Sequence, residues 1–331
     1  MIARRDLLRF GLAATLAAAL PVYGQPDRKT ARIGVLASLP ASNSAAIAAL
    51  WAAFYAELKV RGWEKGRNLV VEARYTEGHA EKYAIFANEL VAAGVDLIVA
   101  FDSQAVDAVR KSTRTIPIVM TNVTFAVEAG FVASLAHPGG NITGLTIEAS
   151  DIGNKGVELF LSIRQDLRKV GLLWSPNNRG SAVGVKPMQD YAHGLGLAVV
   201  SLPIDASAEL GPALATAQRE GVQALYVHPT PAIYPGYRQI VDWAKQNRVM
   251  TASISSILAR RGFLLSYGAD FKDVWRITAT FVDRILRGAK PAELPVEQPT
   301  KFEFIINLKT AEALGLAIPQ LVLARADDVV Q

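Results

Sequence analysis

Apolar runs rich in Val, Ile and Leu recur along this chain, each followed by a stretch with helical periodicity. In the first half they read ARIGVLA from Ala31, LVVEARY from Leu69, VDLIVA from Val95 and IPIVM from Ile116. In the second half they read KVGLLW from Lys169, LAVVSL from Leu197, VQALYV from Val222 and VMTASI from Val249. Start-to-start spacings are 38, 26 and 21 residues, then 28, 25 and 27. Strands that lack polar alternation and are separated by helices are buried on both faces, which is the mark of parallel βαβ units. The intervening stretches place Ile47, Leu50, Trp51, Phe54 and Leu58, then Tyr83, Phe86, Ala87, Leu90 and Val91, on one helical face. Val185, Met188, Ala192 and Leu195, and then Tyr237, Ile240, Val241 and Ala244, repeat the pattern. The expectation is an α/β protein with two doubly wound parallel-sheet lobes joined by a hinge. A chain of 331 residues that is 51% hydrophobic and 20% charged can fill two such cores.

The joint between the halves is IPIVMTNVTFAVEAGFVASLAHPGGNITGL, Ile116 to Leu145. It reads as a buried strand, a polar loop, a short helical run, a tight PGGN turn and a second strand. A Pro-Gly-Gly turn cannot continue a helix, so the chain changes direction there. Beyond the second half, FLLSYG from Phe263 and a helix bearing Val274, Ile277, Phe281 and Ile285 add one more βα unit. A Pro-rich segment, the strand FEFIINL and a short helix near Ala311 to Leu314 follow.

The first 24 residues carry a different message. Arg4, Arg5 and Arg9 make a basic start, Gly11 to Leu20 is apolar, and Pro21 precedes the small-residue end Val22-Tyr23-Gly24. This is the pattern of a removable export signal, and the apolar run is too short for a permanent membrane anchor. Arg4-Arg5 followed by DLLR resembles a twin-arginine signal, although ordinary signals also pair arginines, so the export route stays open. The chain contains no cysteine. Disulfides, thiolate metal sites and acylation of a lipobox cysteine are thereby excluded, and a free protein of the periplasm is expected. Removal of residues 1–24 takes away three arginines and one aspartate, which lowers the net charge from +5 by two, to +3. No Lys/Arg run interleaved with aromatics is present, so nucleic acid is not an expected partner.

Several fragments, in their order and spacing, carry a family resemblance. They are RIGVL, ELKVRGWEKGRNLVVEARYTEG (Glu57 to Gly78), ELVAAGVDLIVA (Glu89 to Ala100), IPIV…AGFVASLAHPGGNITG, LLSYGADF and DRILRGAKPAELPVEQPTKFEFIINLKTAEALGL. Together they resemble the tryptophan/tyrosine-type substrate-binding proteins of ABC transporters. That resemblance implies a type I periplasmic binding protein fold, a three-segment hinge, closure over one small molecule, and a permease in the inner membrane as partner. On this basis the expected layout is a signal peptide at 1–24, lobe 1 at 30–145 plus 263–292, and lobe 2 at 146–262 plus 293–331. Two departures from the family pattern stand at strand ends. Phe101-Asp102-Ser103 replaces a small residue after VDLIVA, and Phe125-Ala126 replaces Asp-Pro after IPIV.

Open α/β sheets bind ligands beyond the carboxyl ends of their strands, which selects the candidate residues. In lobe 1 these are Ser38, Ser42 and Asn43 (with Ser44), Phe101, Asp102, Ser103, Thr121, Asn122 and Phe125. Ser42 to Ser44 either cap a helix or let its N–H groups meet a carboxylate. Asp102 either caps the helix starting at Ser103 or pairs with a ligand donor, and Phe125 is either a ligand wall or core. In lobe 2 the candidates are Trp174 and Asn177, His228 and Thr230, Tyr234, Ser253 and its neighbour Ser255, with Tyr267 and Asp270 at the hinge. Trp174 would stack on a ring or fill core, and Asp270 would touch ligand or cap a helix.

Catalytic patterns are missing. The four histidines are isolated, with no HxxxH or HExxH spacing, and GxSxG, Walker A and GxGxxG motifs do not occur. The expected function is therefore a monomeric periplasmic receptor, without cofactor or metal, that delivers a small organic solute of aromatic or amino-acid-like chemistry to an ABC importer. The rivals are a ligand-sensing partner of a membrane receptor, which a neighbouring sensor-kinase gene would favour, and an exported enzyme, which turnover of the solute would reveal.

Overall fold

The computed structural model describes residues 30–38, 44–147 and 150–331. The expected signal segment, Ser42 and Asn43 lie outside the described residues. The first lobe begins β1 (Ala31–Ala37), α1 (Ala45–Val60), β2 (Leu69–Tyr75), α2 (Lys82–Ala92), β3 (Leu97–Ala100), α3 (Ser103–Ser112), β4 (Ile118–Thr124) and β5 (Ile142–Ile147). The second runs through α4 (Ser150–Ile163), β6 (Lys169–Trp174), α5 (Arg179–Gly194), β7 (Ala198–Pro203), α6 (Leu210–Arg219), β8 (Ala224–Val227), α7 (Ile233–Asn247), β9 (Met250–Ser253), α8 (Ser256–Arg260) and β10 (Leu265–Ala269). The chain ends with α9 (Phe271–Leu286), β11 (Phe302–Asn307), α10 (Leu308–Leu314), α11 (Gln320–Leu323) and β12 (Asp328–Val330).

Two sheets result, ordered β2-β1-β3-β4-β5 and β12-β11-β10-β9-β8-β6-β7. Each order places β3 or β8 beside the first strand of its half, so the strand order reverses there and a crevice opens at the strand ends. Every pairing is parallel except β10 with β11, which is antiparallel. The expected helical faces are the buried ones: Ile47, Leu50, Trp51, Phe54 and Leu58 on α1, and Val185, Met188 and Ala192 on α5. Leu195 falls just past the end of α5 and is exposed.

Three expectations need correction. Residues 125–141 form turns instead of a short helical run, because Phe125, Gly130 and Gly139 all take positive φ (55°, 70° and 78°), which a helix cannot hold. Strand β10 does not return to the first lobe. It lies between β9 and β11 in the second sheet, and only the helix after it, α9, packs on α1, β4 and β5. A strand buried on both faces fits either sheet, so its sequence did not announce which. The second crossing therefore falls at Asp270 rather than 263. The chain then stays with the first lobe past 293, as Val296 N donates to Leu135 O and Glu297 N to Gly144 O. The second and third crossings run side by side, with Asp270 N donating to Lys301 O at 2.9 Å.

Asp283 anchors α9 on the first lobe. Its Oδ1 accepts from the Trp63 indole at 2.8 Å and from Arg287 at 2.6 Å. That contact, together with the packing of α9 on α1, ties a helix that follows a second-lobe strand to the first lobe.

Candidate functional site

The carboxyl ends of β3 and β4 face those of β8 and β9 across the gap between the lobes, and two joined compartments lie there. They occupy about 590 and 710 Å3 of empty space, counting the solvent at their mouths, and share Asp102, Asn122, Pro229 and Ile254.

Phe101 follows β3 directly and is buried in an aromatic cluster. Its ring sits 4.2 Å from Trp275 of α9 and 5.0 Å from Trp51 of α1, and Trp51 meets Trp275 edge-on at 4.6 Å. Phe101, Phe271, Trp275 and Tyr234 form the aromatic wall of the larger compartment, with Leu50 and Ile47 beside them. Such rings contribute large apolar area and specific edge-to-face geometry.

Asp102 follows as the N-cap of α3: Oδ1 accepts from Ala105 N at 2.7 Å and Oδ2 from the Tyr83 hydroxyl at 2.8 Å. The capping role is thus observed, and the same carboxyl borders both compartments. Apart from the surface it turns to the cleft, protein encloses it. Burial pushes the acid up to about 6, against the pull of those hydrogen bonds. Burial, together with the carboxylate beside it, pushes the Tyr83 hydroxyl well above its usual range.

Strand β4 carries one extra residue relative to β5. Met120 pairs with Gly144 but Val123 with Thr146, so the register shifts between them. Such a bulge re-aims side chains. Asn122 takes φ 52° and points into the cleft, whereas Thr121 turns the other way and accepts from Thr278 of α9 at 3.0 Å. Gly144 is required opposite the bulge: its φ is 130°, and a Cβ there would overlap the Met120 carbonyl. Phe125 also takes a left-handed angle, φ 55°, which for a bulky side chain costs about 1–3 kcal/mol. Both residues that hold this backbone line the cleft.

On the second lobe, His228 follows β8, and Pro229 and Thr230 lead into α7. Burial pushes His228 down to about 4, so it is neutral at pH 7. Tyr234 lies within 3.3 Å of the Ser255 hydroxyl. Asn122 Oδ1, His228 Nε2, Thr230 Oγ1 and Trp275 Nε1 are all buried without a hydrogen-bond partner. Leaving such an atom unpaired costs about 1–3 kcal/mol, and here four of them belong to residues that line one cleft.

The lobes touch on both flanks. On one, α5 lies against the first lobe so closely that a Cβ on Gly180 would fall on Thr124 and one on Gly184 would come within 2.7 Å of the Phe125 ring. Arg179 at the start of α5 reaches Asp107 of α3 at 2.9 Å. On the other flank Gly78, φ 87°, approaches the Pro231 carbonyl, 3.2 Å from where its Cβ would stand.

Of the candidates from sequence, Ser38, Phe101, Asp102, Ser103, Asn122, Phe125, His228, Thr230 and Tyr234 line the cleft. Six do not. Thr121 faces α9, as described. The Trp174 indole donates to Ser201 of the edge strand β7, so it lies on the sheet rim. Asn177 is exposed, and its neighbour Asn178, which caps α5, lines the cleft instead. Ser253 donates to Val227 O inside the core. Tyr267 stacks on Phe302 at the hinge, and Asp270 caps α9 through Lys272 N and Asp273 N. Sequence reasoning missed Trp275, Phe271, Met188 and Tyr226. Trp275 gave one usable signal, an indole N–H adjacent to the apolar stripe of α9. Among the described residues no cluster of three metal-ligating side chains occurs, and no helix is long and apolar enough to cross a membrane.

A family model described as ABC transporter substrate binding protein matches residues 42–330. The chain belongs to that family. Its members are non-enzymatic binding proteins for small solutes that work with ABC permeases. A relative named tyrosine-binding protein, from Clostridioides difficile strain R20291, is 27% identical over 263 residues, covering 80% of this chain and 75% of the relative. Among solved structures, this substrate-binding protein resembles the ABC domain in complex with L-Trp from Streptococcus pneumonia. The TM-score is 0.83 at 27% identity, over 91% of this chain and 100% of that one. A conserved domain protein from Vibrio cholerae gives a TM-score of 0.84, with the same identity and coverage. The fold is the type I periplasmic binding protein fold.

Proposed function

We propose that this chain is a periplasmic solute receptor that closes its two lobes over a small molecule with a flat apolar body and an amino or hydroxyl donor, of the aromatic amino acid type, and presents it to an ABC importer. The observation that carries this reading is the inter-lobe cleft itself. It pairs an aromatic wall of Phe101, Phe271 and Trp275 with buried polar atoms that have no protein partner. Clefts built to hold small molecules have this mixture of apolar walls and a few convergent polar groups. The tyrosine-binding and L-Trp-bound relatives support the same solute class.

A thermal-shift screen of aromatic amino acids and amines, aliphatic amino acids and sugars tests the proposal. A binder present at a hundred times its Kd stabilises the folded state by about 2.7 kcal/mol, which raises Tm by several degrees. Aromatic compounds are expected to do so. A response confined to sugars or aliphatic compounds, or turnover of the solute, would refute the reading. Asp102 supplies a pH dependence. An amine-bearing solute needs its carboxylate ionised, and an acid titrating near 6 is about nine-tenths protonated at pH 5. Affinity should fall about tenfold between pH 7 and pH 5, and Asp102→Asn should flatten that slope. An unchanged slope in the variant would leave Asp102 as a helix cap alone.

Closure uses the Arg179–Asp107 pair. Arg179 is half-exposed, so the pair contributes only about 0.2–1 kcal/mol to the closed form. Arg179→Ala is expected to weaken solute binding by up to about fivefold, mainly through faster dissociation. High salt should produce the same loss in the wild type and none in the variant; equal salt sensitivity in both would exclude the pair as a closure contact.

A further inference from the structure

The two compartments of the cleft differ in chemistry. The larger is aromatic. The smaller, between Asp102 and α5, is ringed by neutral hydrogen-bonding groups: Ser103, Thr124, Asn178, Ser181, Asn122 and His228. Two of those residues bring unpartnered buried atoms, Asn122 Oδ1 and His228 Nε2. Asp102, at the divide, is the one formally charged side chain lining either compartment among the described residues. Segments 39–43 and 148–149, which follow the lining residues Ser38 and Ile147 in sequence, contain no Lys or Arg.

A free amino acid brings a carboxylate, and with no cation in the compartment it would be held by neutral donors alone, such as the hydroxyls of Ser103, Thr124 and Ser181. The positive end of α3 is already met by the Asp102 carboxyl, that of α5 by the Asn178 amide oxygen, which accepts from Ser181 N at 3.0 Å, and that of α1, beside the larger compartment, by the Ser44 hydroxyl, which accepts from Ile47 N at 3.3 Å. Arg179 is held outside the compartment by Asp107. A second carboxylate would have to lose its water beside Asp102, whose own ionised form burial already disfavours. A carboxamide meets none of these penalties. Its N–H can donate to Asn122 Oδ1, and neutral His228 can present Nε2 as donor or acceptor, according to its tautomer, to the other end.

We propose that the compartment beside His228 and Asn122 receives an uncharged head group, a carboxamide or hydroxyl, so that the preferred solute is an aromatic amine carrying an amide or alcohol in place of the free carboxylate of an amino acid. This rests on the aromatic-solute reading above and narrows it.

The test is calorimetry on the purified protein at pH 7 with matched pairs: L-tyrosine and L-tyrosinamide, L-tryptophan and L-tryptophanamide, L-phenylalanine and L-phenylalaninol. The amide or alcohol is expected to bind at least about tenfold more tightly than its acid. Asn122→Gly removes the side chain while tolerating φ 52°, and should shrink the preference to within about twofold. An acid that binds as tightly as its partner overturns the proposal, and so does a preference that survives intact in Asn122→Gly. If both members of every pair fail to bind, the aromatic-solute reading itself falls, and this head-group assignment with it. That joint failure is distinct from loss of the preference alone.

Discussion

Replacing Gly180 by Val is expected to leave the ligand-free protein folded, with Tm within about 2 °C of wild type, and to weaken solute binding at least about a hundredfold. Gly180 lies in the first turn of α5, on the flank where the second lobe meets the first. A Cβ there would fall on the Thr124 hydroxyl and within 2.7 Å of the Thr124 carbonyl oxygen. A hydroxyl can rotate away, but a strand carbonyl cannot, and Thr124 is the last residue of β4. The clash therefore has to be relieved by moving the lobes apart. Within α5 itself the change carries no penalty, because Val is a better helix residue than Gly. The variant should be trapped open, with one lobe still able to touch the solute but no second lobe to exclude water. Small-angle scattering should show that the saturating solute compacts the wild type and not the variant. Binding by Gly180→Val within threefold of wild type would mean that closure along α5 contributes nothing to affinity.

The contrast between what the sequence made legible and what it concealed follows from the range of the forces involved. Helix faces repeat every 3.6 residues and parallel strands buried on both faces are unbroken apolar runs, and both could be read directly, which is why the buried face of α1 agrees residue by residue. The cleft positions at the ends of β3 and β8 were legible for a related reason, since topology puts every parallel strand end on one side. What stayed hidden depends on single backbone angles or on distant partners. The bulge in β4 decides that Asn122 enters the cleft and Thr121 does not, and no local pattern marks it. Asn177 and Asn178 are chemically alike, and only the cap geometry of α5 sends the second one inward. Trp174 ends its strand as expected, but its indole finds Ser201 on an edge strand paired with β6. Trp275 reaches the cleft because α9 crosses back to the first lobe, an arrangement set by contacts more than 200 residues apart in sequence, Trp63 with Asp283 among them.

That contact leads to the largest expected loss of stability. Asp283→Ala should lower the unfolding free energy by about 2–4 kcal/mol. Removing one member of a buried charged pair typically costs about 3–5 kcal/mol, and the figure is discounted here because Arg287 is half-exposed and Arg61 partly so. Three things are lost together. The buried Trp63 indole loses the Asp283 acceptor, Arg287 loses its 2.6 Å partner, and Arg61 loses the carboxylate 3.8 Å away. Asp283→Asn should recover about half of the loss, because an amide oxygen can still accept from the indole while the charge is gone. Urea unfolding of both variants measures the effect. Because α9 also carries Phe271 and Trp275, loosening its anchor should weaken binding of aromatic solutes without abolishing it. A loss below about 1 kcal/mol in Asp283→Ala would mean that apolar packing of α9 on α1 holds the helix to the first lobe without help from this contact.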